Sequence, residues 1–511
     1  MSSAKRNDAA TAGRGFLVIT GAKLWFMVGG VLINFGLPYI FGSKTYGDGT
    51  DGRALYGQYI DLNNTLSILS MVMVTGVMQS VSRYVAKAPD AAGGVVRQAL
   101  KLMLGVGLLV GGGFALAAPY IAEQRANPEL VNGYRAAGII LLCYALYTVF
   151  IGTLNGRKLF FRQALFDIGF TTIKTTFVVG LALAGLGVIG AFSGFAIAAV
   201  IILALAAWRV GPELGEGEPD KGLYAFAFNV MLYTLVFNLV FKLDVLMLKP
   251  TAVAMFQAAG QAGVDQAADA LLGLYGLALN ISRIPWQATI AITFVVFPMV
   301  SEATFAQDRE RTRLYIRQTL RYSMILVGAA SVVLTAVPGA VVGLLPAKYG
   351  DAALALAWLA PAYFAFSLFN VVNTLLMSAG RAGTALFIGL GTVGVAAALY
   401  QGLLPGATTE AELLIRAGQC TLVAFVVGLV LGVAVLAKRY GAPLPLGTTA
   451  RTLLLGGALV AAGRMLPADL GKIAALAAAV AVGLAFLAGL VLTREFNAED
   501  KARLNRVLRR S

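Results

Sequence analysis

Residues 189–208 read IGAFSGFAIAAVIILALAAW, twenty successive positions without a charge. At about 1.5 Å of helical rise per residue, such a run is as long as the hydrocarbon core of a bilayer is thick, about 30 Å. Outward from it the pattern recurs over approximately 16–42, 55–82, 98–122, 136–155, 163–187, 222–248, 269–297, 318–345, 352–377, 383–404, 411–436, 448–466 and 472–493, which makes fourteen expected spans. Of the 511 residues, 59% are apolar and 13% charged, about half the charge of an ordinary soluble domain. The chain therefore reads as an all-α polytopic membrane protein. Intrinsic disorder, a disulfide scaffold and a cytosolic enzyme are excluded. Cys143 and Cys420 lie inside spans, and there is no histidine, so neither a metal nor a cofactor is expected. No loop approaches the roughly 50 residues that a catalytic domain needs, so the expectation is a non-enzyme.

The net charge of +15 is a topology signal rather than a nucleic-acid footprint. With the N-terminus inside, 27 of the 40 Lys and Arg residues fall on the inner side, nine outside and four within spans. The inner set includes Arg83, Lys87, Arg97, Lys101, Arg157, Lys158, Arg162, Arg309, Arg311, Arg313, Arg317 and Arg321. That asymmetry predicts both termini in the cytoplasm. Residues 1–14 are polar and the first apolar run is too long for an h-region, so no secretory signal peptide is expected. The tail after Arg494, with Leu504, Val507 and Leu508 beside five basic residues, is predicted to lie on anionic headgroups.

An internal repeat divides the spans. Leu55-Tyr56-Gly57 recurs as Leu274-Tyr275-Gly276, and Arg97-Gln98-Ala99-Leu100-Lys101 as Arg317-Gln318-Thr319-Leu320-Arg321. Gly156-Arg157 and Ala164-Leu165-Phe166 recur as Gly380-Arg381 and Ala385-Leu386-Phe387. Six spans per copy is an even number, so both copies enter the membrane from the same side, related by an axis along the membrane normal. The expected organisation is a tail over 1–15, an N-lobe over 16–208, a Gly/Pro-rich acidic linker over 209–221 and a C-lobe over 222–436. Two further helices follow over 448–493, then the basic tail over 494–511. The longest outer loop is expected at 250–268.

Ionisable residues inside spans cost at least about 2.5–3.5 kcal/mol each, so they must face water or one another. Lys23, Lys174, Lys242, Arg283, Asp61, Asp167 and Asp244 are such residues. Helical phase groups Asn280, Arg283 and Gln287 on one stripe of the eighth span. It likewise groups Thr234, Asn238 and Lys242 in the seventh, Lys23, Gly30 and Asn34 in the first, and Asp167, Thr171, Lys174 and Thr175 in the fifth. By the repeat, Asp61 corresponds to Asn280 and Asn64 to Arg283. A cavity between the lobes, lined by the first, second, seventh and eighth spans, would be net cationic. That sign suits a phosphate or pyrophosphate, which arginine can hold bidentately. Asp61, Asp167 and Asp244 are the candidate proton or sodium acceptors, with structural pairing to a nearby lysine as the alternative; Lys242 is a candidate substrate contact and an example of the cation Asp61 would pair with when the lobes close.

Gly273-Leu274-Tyr275-Gly276-Leu277-Ala278-Leu279-Asn280, with Leu243-Asp244-Val245-Leu246-Met247-Leu248, Ile284-Pro285-Trp286-Gln287 and Phe297-Pro298-Met299-Val300-Ser301, resembles the polysaccharide-exporter and lipid-linked oligosaccharide flippase families. These belong to the multidrug/oligosaccharidyl-lipid/polysaccharide (MOP) transporter superfamily. The resemblance covers about 15–440 and implies two six-helix lobes around a V-shaped cavity that opens alternately to either leaflet. It implies a flippase for an undecaprenyl-pyrophosphate-linked oligosaccharide in the bacterial inner membrane. Arg283, Lys174 and Lys23 would then neutralise the pyrophosphate, and Asn280, Gln287, Asn34 and Asn238 would bond it or the sugars. Partners would be the lipid-linked glycan, membrane lipids and other membrane proteins of polysaccharide assembly. The lipid II flippase branch carries an arginine-rich first helix, from which Ile19-Thr20-Gly21-Ala22-Lys23-Leu24-Trp25-Phe26 departs. The multidrug branch carries acidic or neutral cavities, and Arg283 and Lys174 count against it.

Overall fold

A computed structural model describes residues 3–43, 46, 51–87, 89–441, 444–467 and 471–496; the basic tail beyond 496 lies outside the described residues. Those residues form helices and turns with no strand among them. In chain order the long helices are α1 (Ser3–Phe41), α2 (Gly52–Val85), α3 (Gly93–Gly107), α4 (Val131–Gly156), α5 (Phe160–Leu181), α6 (Gly187–Val210) and α7 (Gly222–Ala258). They continue as α8 (Val264–Ser282), α9 (Ile284–Phe305), α10 (Arg309–Ala336), α11 (Ala352–Ser378), α12 (Ala382–Leu403), α13 (Glu410–Tyr440), α14 (Leu446–Gly463) and α15 (Lys472–Leu492).

Among the described residues, twelve segments are long and apolar enough to cross a membrane, and one of them, Phe160–Glu213, contains both α5 and α6. The chain is a multi-pass membrane protein. The fourteen expected runs fall mostly on helix, several of them broken into shorter pieces, as at Ala117 in the third run and Val337 in the ninth. The eighth run, read as one span over 269–297, is two helices that meet at Arg283. Pro285 has no backbone N–H to complete the ladder, so α9 starts afresh around it. The expected outer loop over 250–268 is mostly helix: α7 runs through Pro250 to Ala258 and α8 starts at Val264, leaving only 259–263 between them. A proline inside an apolar helix is tolerated where neighbouring groups satisfy the freed carbonyl.

The repeat is visible in the helix starts. α4, α5 and α6 begin at 131, 160 and 187, and α11, α12 and α13 at 352, 382 and 410.

The chain divides into two compact units, Met1–Gly273 and Leu274–Ser511. In the first, α2 packs on α4 and α7, α1 on α5, and α6 on both α4 and α5. Gly57 of α2 also lets the start of α8 come close, because a Cβ there would sit 1.7 Å from the Asp269 carbonyl oxygen of α8. In the second unit α11 packs on α13, and α10 on α11 and α14. Ile325, Val332 and Ala336 of α10 form an apolar core with Ala475, Val482, Phe486 and Leu490 of α15.

The 209–221 segment, expected as a linker, is strapped down rather than loose. Arg157 donates to the carbonyls of Pro89, Glu213 and Leu214 at 2.8–3.1 Å, and Arg162 grips the Glu213 carboxylate at 2.6 and 2.7 Å. Lys87 reaches Asp220 at 2.8 Å. That contact and the Gly222 N–H hold the Asp220 carboxyl below the usual range.

Candidate functional site

Within the first unit, the polar residues predicted on α1 and α5 meet along one seam. Lys23 Nζ donates to Asp167 Oδ2 at 3.2 Å, and Trp25 Nε1 to Thr172 Oγ1 at 3.0 Å. The glycine that admits α5 is Gly29, whose Cβ would meet Thr171 Cγ2 at 2.5 Å, while Gly30, on the face of Lys23, has open space around it. Since Lys23 carries its own carboxylate, it adds no net charge to the seam. Lys174 does. Its ammonium lies 3.9 Å from the centroid of the Phe195 ring, with Phe170 and Tyr144 packed around that ring, an arrangement that stabilises a desolvated cation. The hydroxyls of Tyr147 and Thr175 are buried there without a hydrogen-bond partner among the described residues.

The predicted amide ligands of this unit turn inward on their own helices. Asn34 donates to the Gly30 carbonyl at 2.9 Å, and the fully buried Asn238 to Thr234 at 2.8 Å. Asn64 donates to the Lys242 carbonyl at 3.2 Å. Asp244 is buried and accepts the Val245 N–H at 2.8 Å.

Asp61 does not pair with Lys242. Arg125 holds it in a fork, Nε to Oδ2 at 3.0 Å and Nη2 to Oδ1. Lys249 Nζ lies 3.7 Å from the same carboxylate and 2.6 Å from Asp269 Oδ1. Asn127, with its amide turned to suit its neighbours, donates to Asp269 and accepts from Lys249. The side chains of Asp61, Lys249 and Asp269 are each 1% exposed, and that of Arg125 is 13% exposed. Two carboxylates and two cations thus form a neutral, buried network that the sequence reading missed. Arg125 and Lys249 fall just beyond the ends of apolar runs, where hydropathy assigns them to loops, and Asp269 is the first residue of the eighth run.

In the second unit, Arg283 occupies the junction of α8 and α9. Its Nε donates to Tyr363 Oη at 2.9 Å, and the guanidinium carbon is 5.4 Å from that ring's centroid. Tyr363 is itself fixed, fully buried and edge-on to Phe366 and Phe425 at 5.6 Å. The arginine is therefore positioned by an aromatic buttress. Asn280 stands in the last turn of α8 and Gln287 in the first turn of α9, so the expected stripe is interrupted between them.

A family model described as "Polysaccharide biosynthesis protein" matches residues 56–353. No curated protein matches. Solved structures do match in fold. An inward-facing multidrug resistance MATE family transporter of the MOP superfamily is 15% identical, with TM-score 0.62, over 82% of this chain and 95% of that one. Lipid II flippase MurJ in an inward closed conformation is 11% identical, with TM-score 0.63, over 92% and 99%. A MOP superfamily transporter from Pyrococcus furiosus, described by the reverse polarity of its binding pocket, is 16% identical, with TM-score 0.54, over 84% and 96%.

Proposed function

Because the chain belongs to the polysaccharide biosynthesis protein family, with a MOP superfamily transporter fold, we propose that it flips an undecaprenyl-pyrophosphate-linked oligosaccharide across the bacterial cytoplasmic membrane. In this reading both termini are cytoplasmic and the glycan passes from the inner to the outer leaflet as two lobes rock about a central site. The observation that carries it is Arg283: a permanent cation within an apolar helical region, at a helix junction, aimed by a buried tyrosine. A guanidinium so placed can bind one phosphate through two parallel N–H groups. Lys174 is the second anion contact and lies on an aromatic face rather than against a carboxylate. Of the three candidate coupling aspartates, Asp167 is the best placed. Its cation partner Lys23 has a side chain 54% exposed, whereas Asp61 is clamped by Arg125 and Lys249, and exchange of a proton needs a partner that can leave.

Reconstitution into vesicles tests this reading. The wild type should flip a fluorescent undecaprenyl-pyrophosphate oligosaccharide and neither lipid II nor a cationic dye. Arg283→Ala should abolish flipping while membrane expression and melting temperature hold. Lysine at 283 should restore a minor fraction, since a point charge lacks the fork. Full transport by the alanine variant would remove Arg283 from the site.

A further inference from the structure

The transport reading leaves a basic cleft of the first unit unused. It measures about 520 Å³ and is lined by Arg97, Gln98 and Lys101 of α3, Gly217 and Lys221 of the strap, and Tyr224 of α7. No carboxylate lines it. Of the strap's acids, Glu213 is engaged with Arg162 and Asp220 with Lys87, while the side chains of Glu216 and Glu218, on either side of Gly217, are not part of the lining. Among the described residues Lys101 and Lys221 make no ion pair or hydrogen bond, and Arg97 donates once, from Nη1 to the Gly215 carbonyl at 3.2 Å. Three cations therefore converge on one concavity, and among the described residues none of them is ion-paired. The other basic residues of this region, Lys87, Arg157 and Arg162, are all bonded to the strap.

Below the cleft the same two helix faces become apolar. On α3 the face that carries Arg97 and Lys101 continues through Leu104 to Leu108, the first residue after α3; the two are 45% and 54% exposed. On α7 the face of Tyr224 continues through Phe228 and Leu232, 67% and 44% exposed. These are successive turns at three- and four-residue spacing.

We propose that this cleft seats the phosphate of an anionic glycerophospholipid, with its acyl chains along the exposed faces of α3 and α7. A free anion would use the cations and leave the apolar stripes unused. A zwitterionic lipid would use the stripes but bring an ammonium among three cations. An anionic lipid satisfies both features.

Native mass spectrometry of the full-length protein in neutral detergent tests the assignment by titration with dioleoylphosphatidylglycerol, dioleoylphosphatidylcholine and inorganic phosphate. Phosphatidylglycerol should bind in one saturable step that weakens with added salt. The exposed pair Lys101→Gln/Lys221→Gln should weaken that step about twenty-five-fold, at roughly five-fold per juxtamembrane cation, without changing the melting temperature in lipid-free detergent. Lys438→Gln/Arg439→Gln, in the last turn of α13, should leave it unchanged. Equal phosphatidylglycerol affinity in the Lys101/Lys221 variant, or an equal loss in the α13 variant, would overturn the site. Binding of inorganic phosphate as tight as that of the lipid would overturn the lipid assignment. None of these readouts depends on flipping, so the cleft and the transport reading fail separately.

Discussion

Arg125 and Lys249 show what a buried charge asks of its neighbours. Each is matched by an aspartate, and Asn127 bonds to both Asp269 and Lys249. Removing one member leaves another charge without compensation in an apolar region, which costs about 3–5 kcal/mol. Lys249→Ala is therefore expected to lower the melting temperature in detergent sharply, and Asp269→Asn on the same background should recover much of the loss. An unchanged melting temperature for Lys249→Ala would mean that water already reaches the cluster. The same logic separates the three anion candidates. Lys23 is balanced by Asp167, Lys174 rests on an aromatic ring, and Arg283 is oriented by a tyrosine. Helical phase set Arg283, Lys23 and Asp167 each on a polar face of its own helix, but it did not reveal that the faces of Lys23 and Asp167 meet. It could not reveal Tyr363, which lies 80 residues away in sequence.

At the scale of elements, Glu495 ties the last two helices down. It follows α15, its side chain is 1% exposed, and it accepts from Arg321 Nε at 2.7 Å, Thr448 Oγ1 at 2.6 Å and Arg451 Nη1 at 2.6 Å. α10, α14 and the end of α15 thus share one carboxylate. Burial pushes its pKa up, but the bonds from Thr448, Arg321 and Arg451 outweigh that and hold it below the usual range. A carboxyl depressed in the folded state contributes stability above its unfolded pKa, about 4.3, and loses it as the pH falls through the lower folded value. Melting in detergent should therefore fall below about pH 4, and Glu495→Gln should flatten that slope while costing about 1–3 kcal/mol at pH 7. A slope that survives in the glutamine variant would assign the acid sensitivity to other carboxylates. Arg321, read from sequence as a topology charge, has this second occupation because hydropathy reports depth and not partner. The helix break at Arg283 was signalled by Pro285, but the unbroken apolar content on either side hid it.

For the whole molecule, the fourteen apolar runs made the class of fold legible, because spanning a bilayer demands long apolar helices whatever the function. The limits of loops were less legible, since residues 250–258 are weakly polar yet continue α7. The exposed connection is consequently only 259–263, and topology must be read there. In intact cells a cysteine at Gln261 should react with a membrane-impermeant maleimide, while one at Gln307 should react only after permeabilisation. Reversed labelling at both would invert the proposed orientation, and the leaflet of the phospholipid cleft with it.

The four-charge network also bears on how the chain is made. Asp61 and Arg125 are 64 residues apart, and Lys249 and Asp269 only 20, whereas the Lys249–Asp61 contact spans 188. Each near pair is electrically neutral by itself. A nascent chain that threads its helices into the bilayer in order can therefore close the first pair before α7 exists, and the second as soon as the α7–α8 hairpin emerges. At no stage must a lone buried charge wait for a partner from the far end of the unit. Long-range assembly then joins two neutral dipoles, a step that demands far less of the translocation machinery than the union of two bare ions.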